Sequence, residues 1–321
     1  MSIKIYKGKY KNVFSIIIES KVLRVNILPQ YGAKIQSIFQ KEKQKEYLFQ
    51  SEGKYFKKPE YGIFFEKGEC SGFDDMFPSI STCYYPVKPW QGIKVPDHGE
   101  VWSIPWDYEL KDDSIILSTH GVRFPYKLIK KISLKNNNIL NIEYKAINYS
   151  NYNFDFIWAA HPLFNCSENT KIILPESVDK VINVYNESKR LGKYGKVFSW
   201  PIANTGLDNE YDMSKISSKK RNLCEKYYIL NDLDLGKASL YDTKTGDLIT
   251  LRYPIDKVPY LGVWINEGGF LGQYNVALEP CTGAFDRVDF AKQWNRISTI
   301  EAKNKYEWFL EMKFANKTLF K

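Results

Sequence analysis

The stretch that decides the fold is "YKLIKKISLKNNNILNIEYKAIN", residues 126–148. Leu128, Lys130, Ile132 and Leu134 alternate with Ile129, Lys131 and Ser133. "KNNN" follows, a turn by composition. Beyond it Leu140, Ile142, Tyr144 and Ala146 alternate with Asn141, Glu143 and Lys145. Side chains in a strand point to opposite faces in turn, so this pattern reads as a long antiparallel hairpin with one buried face. Working outward, "SIIIES", "VLRVNIL", "SIILSTH", "KIILP", "LITLRYP", "YLGVWI", "YNVALEP" and "YEWFLEMKF" are further strand candidates. No long amphipathic helix is evident, and residues 286–295 give one short helix. The polar stretch 204–226 reads as a surface excursion between strands. Neither an internal repeat nor a low-complexity linker divides the chain. The expectation is a single all-β domain over residues 1–321, with two antiparallel sheets packed face to face and few short helices.

Composition agrees with a large core. Of 321 residues, 44% are hydrophobic and 16% aromatic, with 23 Tyr, 19 Phe and 8 Trp. Tyr and Trp suit half-buried strands and stacking surfaces. The net charge of +9 comes from scattered lysines, with seven Arg among 46 basic residues and no block of like charge. That is a solvated surface rather than a nucleic-acid footprint. No segment reaches the length of a membrane span. The N-terminus carries no apolar signal-like run, and the five cysteines are odd in number with no C-x-x-C pair. A cytoplasmic chain with free thiols is expected.

Four stretches set polar groups among core-like residues, each beside Pro or Gly at a strand end or turn. They are "GFDDMFPSIS" (72–81), "PDHGEVW" (96–102), "WAAHPLF" (158–164) and "ALEPCTG" (277–283). Taken singly, each has a bland explanation: a hydrogen-bonded core histidine, turn chemistry for the Asp pair, a polar turn, a glutamate ending a strand. Rigid sheets display functional groups at strand ends, which makes the set of four informative.

In this order, together with "YGAKIQSI" (31–38), the hairpin and the closing "STIEAKNKYEWFLEMKF", these stretches resemble the galactose mutarotase-like family, the aldose 1-epimerases. The resemblance runs along nearly the whole chain. It implies an antiparallel β-supersandwich with a sugar cleft and no metal or cofactor. It implies His161 as general acid on the ring oxygen, Glu279 as general base at the anomeric hydroxyl, and His98 as the histidine that orients the sugar. The chain departs from the family where a substrate arginine would stand near the first histidine. Asp74 and Asp75 occupy that region, and a turn at the cleft rim would let them accept sugar hydroxyls. Trp264 and Trp158 are candidate stacking platforms, each with core packing as the alternative. His120 matches nothing in the family and reads as structural.

Anomer interconversion needs a base at O1 and an acid at O5. A carboxylate and an imidazole on opposite sides of one ring suffice. The reading is therefore a mutarotase acting on a free aldose, as a monomer or homodimer, with a small-molecule sugar and neither nucleic acid nor membrane as partner. The alternatives are a hexose-6-phosphate mutarotase, which would need clustered cations, a non-catalytic sugar-binding protein, and a glycoside hydrolase or lyase, where hydrolysis would need a second carboxylate beside Glu279. The cysteine reading has a direct test. Thiol titration of the denatured, unreduced protein is expected to find all five, and two or more missing would contradict it.

Overall fold

The hairpin forms as its pattern requires. In the computed structural model, which describes residues 3–207 and 209–316, Tyr126–Lys135 pairs antiparallel with Ile139–Asn148, from Tyr126 opposite Asn148 to Lys135 opposite Ile139. Asn136 and Asn137 turn the chain in the left-handed region that asparagine tolerates. Tyr126, Leu128, Lys130, Ile132 and Leu134 face inward.

The hairpin lies in an eight-stranded sheet, where Lys305–Asn316 pairs with Ile139–Asn148. Facing it is a thirteen-stranded sheet. Its middle consists of Phe73–Met76, Ala159–Pro162, Tyr274–Cys281, Tyr260–Glu267 and Leu223–Ile229, hydrogen-bonded in that order. Every strand pair in both sheets is antiparallel. One continuous apolar core, including Leu128, Ile132, Ile142 and Leu310 from one sheet and Phe73, Val263 and Leu278 from the other, fills the space between them. The α-helix among the described residues is Val288–Gln293, inside the segment expected to be helical. All eight strand candidates are strands. All five cysteines are unpaired. No helix among the described residues is long and apolar enough to cross a membrane.

The sequence expectation fails at the excursion, which ends at Asn222; Leu223–Ile229 is a strand. Its residues "LCEKYYI" are almost all buried, on both faces and including Glu225 and Lys226, so no polar–apolar alternation marks it.

The other difference is Lys130, a lysine on the buried face of the hairpin with no solvent exposure. Its Nζ lies 2.7 Å from Asp75 Oδ2 and donates to the Ala33 carbonyl at 3.2 Å. Asp75 Oδ1 accepts from Tyr144 Oη at 2.8 Å and Trp158 Nε1 at 3.1 Å. Four polar groups thus satisfy one another between the sheets. A buried charge left without its partner is costly, about 3–5 kcal/mol, whereas removing both partners together costs far less. Lys130→Met and Asp75→Asn are each expected to lower stability in urea denaturation by a large fraction of that amount. The double variant should fall well short of the sum. Additive losses would show that the pair does not couple the sheets.

Candidate active site

Parity in the strand Phe73–Met76 positions the site. Asp75 points into the sandwich, so its neighbour Asp74 points to the opposite face. His161 is the direct cross-strand partner of Asp74, as Ala160 is of Asp75. The outward face therefore continues from Asp74 to His161. From there it runs to Glu279, since Ala159 pairs with Cys281 in antiparallel register. Glu279 is opposite Gly262, and Gly262 opposite Tyr228. Five adjacent strands thus carry Asp74, His161, Glu279, Gly262 and Tyr228 in one row. Lys226, two residues from Tyr228, stands beside Trp264 in the next row.

His161 and Glu279 meet in this row, with Nε2 3.8 Å from Oε1. They line a cavity of about 180 Å³ together with His98, Trp264, Lys226 and Asp286. That volume is small beside the roughly 300–1,000 Å³ of pockets for drug-sized ligands, and suits a single ring. His161 and Glu279 stand side by side on neighbouring strands.

His98 arrives from a turn. The "DHGE" residues each have a structural task. Asp97 Oδ2 accepts the Phe65 N–H at 2.8 Å. Gly99 has φ +73°, and a Cβ there would stand 2.1 Å from the Phe77 carbonyl oxygen, so no larger residue fits. Glu100 is buried and accepts from Tyr61 and Tyr126 Oη and from the Val122 and Arg123 N–H groups. Tyr126 belongs to the hairpin, so the turn is fastened to the opposite sheet. His98 then stacks on Phe65 at 4.1 Å with the rings nearly parallel, its centroid 5.3 Å from that of His161. Its Nδ1 is 3.3 Å from Asp97 Oδ1. Burial alone would lift the Asp97 carboxyl, but His98 and the Phe65 N–H more than offset it, and its pKa falls below the usual value.

Burial governs the other groups. It drives the His161 pKa well below 6.5, with His98, Lys226 and Lys34 adding positive charge nearby. It raises Glu279 above 4.5, against the opposing pull of Lys226. Lys226 Nζ is 2.9 Å from Glu279 Oε2 and 3.1 Å from Asp286 Oδ1. Burial disfavours its charge, but the two carboxylates outweigh that and its pKa rises. Burial thus pushes the His161 imidazole down and the Glu279 carboxyl up, beside a lysine whose pKa is raised. His161 Nδ1 makes no hydrogen bond within the protein.

Of the residues singled out in sequence, His161, Glu279, His98 and Trp264 converge on the cavity. Asp74 and Asp75 do not line it. Asp74 is buried against the Lys34 ammonium. Burial raises its pKa and Lys34 opposes the rise. Asp75 is in the core. Both lie in a strand rather than a rim turn, because the chain turns later, at the proline two residues beyond Met76. Trp158 is buried in the core against Tyr144 and Trp308 and is no platform. Trp264 lines the cavity edge-on to Tyr185 and Phe270. His120 is exposed and stacks on Tyr149. Lys226 and Asp286 were missed. Lys226 fell in the supposed excursion, and Asp286 read as the start of a helix.

The sequence profile described as aldose 1-epimerase matches residues 16–197. The match contains His98 and His161 and stops short of Glu279. No curated protein matches the chain. Among solved structures, a galactose mutarotase-like protein from Lactobacillus casei is similar at 17% identity and TM-score 0.67, over 94% of this chain and 100% of that one. The galactose mutarotase related enzyme from Lactobacillus acidophilus is similar at 15% identity and TM-score 0.65, over 98% and 99%. The Slr1438 protein from Synechocystis sp. follows at 13% and TM-score 0.72, over 97% and 100%. At such identities the structures establish the fold alone, a galactose mutarotase-like supersandwich over almost the full length. With more than half of its residues matched by the profile, the chain belongs to the aldose 1-epimerase family.

Proposed function

We propose that the protein is an aldose 1-epimerase that interconverts the α and β anomers of a free aldose by acid–base ring opening. The observation that carries this reading is the side-by-side placement of His161 Nε2 and Glu279 Oε1, 3.8 Å apart in a ring-sized cavity.

The proton inventory is simple. In the closed sugar, Glu279 as carboxylate takes the proton from O1 while His161 as imidazolium gives one to O5, and the C1–O5 bond breaks. Glu279 is then protonated and His161 neutral, the directions in which burial shifts the two groups. The aldehyde rotates about C1–C2. Ring closure returns the proton from O5 to His161 and from Glu279 to O1, with the opposite face of C1 exposed. His98, held by Asp97 and Phe65, orients the sugar, and Trp264 offers a ring face to its apolar side. The phosphate alternative has less support, because Lys226, the cation lining the cavity, already faces two carboxylates.

Anomer exchange followed by NMR on a panel of free aldoses and their 6-phosphates tests the substrate class. His161→Asn and Glu279→Gln are each expected to lower kcat by about 10²–10⁴-fold, the usual range for a positioned acid or base. The double variant should lose much less than the product, because the two act as a unit. His98→Asn should be milder and His120→Asn nearly silent. If folded Glu279→Gln exchanges every active sugar at the wild-type rate, the mechanism is wrong.

The kcat/KM profile should be bell-shaped, with limbs that belong to the pair rather than to either residue. In the free protein the His161 imidazole should titrate below 6.5, its depressed value, as read from NMR signals that vanish in His161→Asn. Titration at or above 6.5 would contradict a site dominated by burial.

A further inference from the structure

Lys226 and Asp286 are buried at the heart of the cavity, yet the acid–base exchange leaves them without a task. Their geometry supplies one. Lys226 approaches Glu279 at Oε2, while His161 faces Oε1. Asp286 holds the same ammonium from its other side, through Oδ1 at 3.1 Å. That oxygen also accepts from Tyr228 Oη at 2.7 Å. Gly262 separates Tyr228 from Glu279 in the row, and a Cβ there would lie 3.4 Å from the Tyr228 ring and 3.6 Å from Glu279 Oε2. The absence of a side chain at Gly262 keeps that space open. Asp286 itself sits at φ +58°, a conformation uncommon for a residue other than glycine, just before the helix Val288–Gln293.

We propose that Lys226 and Asp286 are positioning residues: Lys226 holds Oε2 of Glu279 so that Oε1 works on the sugar, and Asp286 draws part of the lysine's charge away so that Glu279 remains a usable base. This rests on the acid–base reading of His161 and Glu279. A lysine alone would hold the carboxylate too firmly to accept a proton from O1. A buried carboxylate alone would stay protonated. The pair sets Glu279 between these limits. The other titratable groups turned toward Glu279 are Tyr228 from the strand Leu223–Ile229, His161 from Ala159–Pro162, His98 from its turn, and Cys281 on its own strand. Lys34 and Asp74 stand behind His161. Of these, Lys226 and Asp286 are the two that act on Glu279 with opposite sign while lying in direct contact with each other.

The arrangement makes a prediction that a merely structural role does not. Removing Lys226 takes away positive charge felt by both Glu279 and His161, so Lys226→Met should move both limbs of the kcat/KM profile to higher pH. A unit charge a few ångströms away is worth about one pH unit or more at the effective dielectric of protein sites. Asp286→Asn removes negative charge from the same pair and should move its acidic limb to lower pH. Lys226→Arg should restore a profile close to wild type.

The same variants are read without turnover by NMR titration of the His161 imidazole in sugar-free protein. There Lys226→Met should raise the His161 pKa and Lys226→Arg should not. Folding is checked by circular dichroism. If Lys226→Met does not fold, Asp286→Asn and Lys226→Arg carry the test. Limbs that stay in place, or that move the same way in Lys226→Met and Asp286→Asn, overturn the proposal. Wild-type protein that exchanges no sugar would instead overturn the acid–base reading, and the His161 titration would still decide whether Lys226 acts electrostatically on the row.

Discussion

The ion pair between Asp75 and Lys130 fixes more than its own surroundings. It ties one strand of the thirteen-stranded sheet to the hairpin of the opposite sheet, with Tyr144 and Trp158 completing the hydrogen bonds. Buried ion pairs contribute little net stability, but they penalise any arrangement that separates them. A one-residue slip of Phe73–Met76 would bring Asp74 inward and leave Lys130 facing the wrong position. It would also turn every side chain of that strand to the other face. The pair therefore specifies the parity from which the row of the candidate site follows: Asp75 and Ala160 inward, Asp74 and His161 outward.

From that parity the site is built by register. Its members come from positions as distant as 161 and 279, yet they occupy neighbouring strands in the middle of one sheet, where the backbone is hydrogen-bonded on both sides. The turn that brings His98 is secured by Glu100 to Tyr126 of the hairpin, so both histidines are tied to the same hairpin through separate contacts. Positioning of this kind does not rely on loops. It also accounts for the burial: groups on central strands under a cap of aromatic residues lose water, and loss of water raises carboxyls and lowers imidazoles. The pKa shifts of His161 and Glu279 come from where they are placed, with Lys226 opposing the rise at Glu279 and Asp286 adding to it.

What the sequence displayed was periodicity and local chemistry. The hairpin was legible because ten residues on each side alternate, and the remaining strands because Gly, Pro or Asn bound them. His161, Glu279 and His98 stood out by their neighbours, Pro and Gly beside a titratable group, and the family resemblance gave them roles. Asp74 and Asp75 were misread because adjacent identical residues hide their parity; only the partner Lys130 shows which one faces inward. Lys130 was visible as a lysine at an apolar position, with nothing to say that its counter-charge lay 55 residues away. Lys226 was illegible for a related reason. A strand with one charge and one tyrosine on each face, all buried, shows no polar–apolar alternation to mark it.

That last failure has a physical meaning. Burying a lysine, two carboxylates and two imidazoles together opposes stability, and a sequence selected for stability alone would fill the row with apolar residues. The contradiction between local pattern and burial at Lys226 is thus itself a sign of function. The same test separates two of the buried ion pairs. At Asp75–Lys130 the carboxylate accepts three hydrogen bonds and its lysine donates two, all within the core, a structural arrangement. At Glu279–Lys226 the carboxylate oxygens lack well-formed hydrogen bonds within the protein and face a cavity. Unspent hydrogen-bonding capacity at a buried charge is what a sugar hydroxyl would satisfy, and it is the reason to regard the second pair, and not the first, as part of a working site.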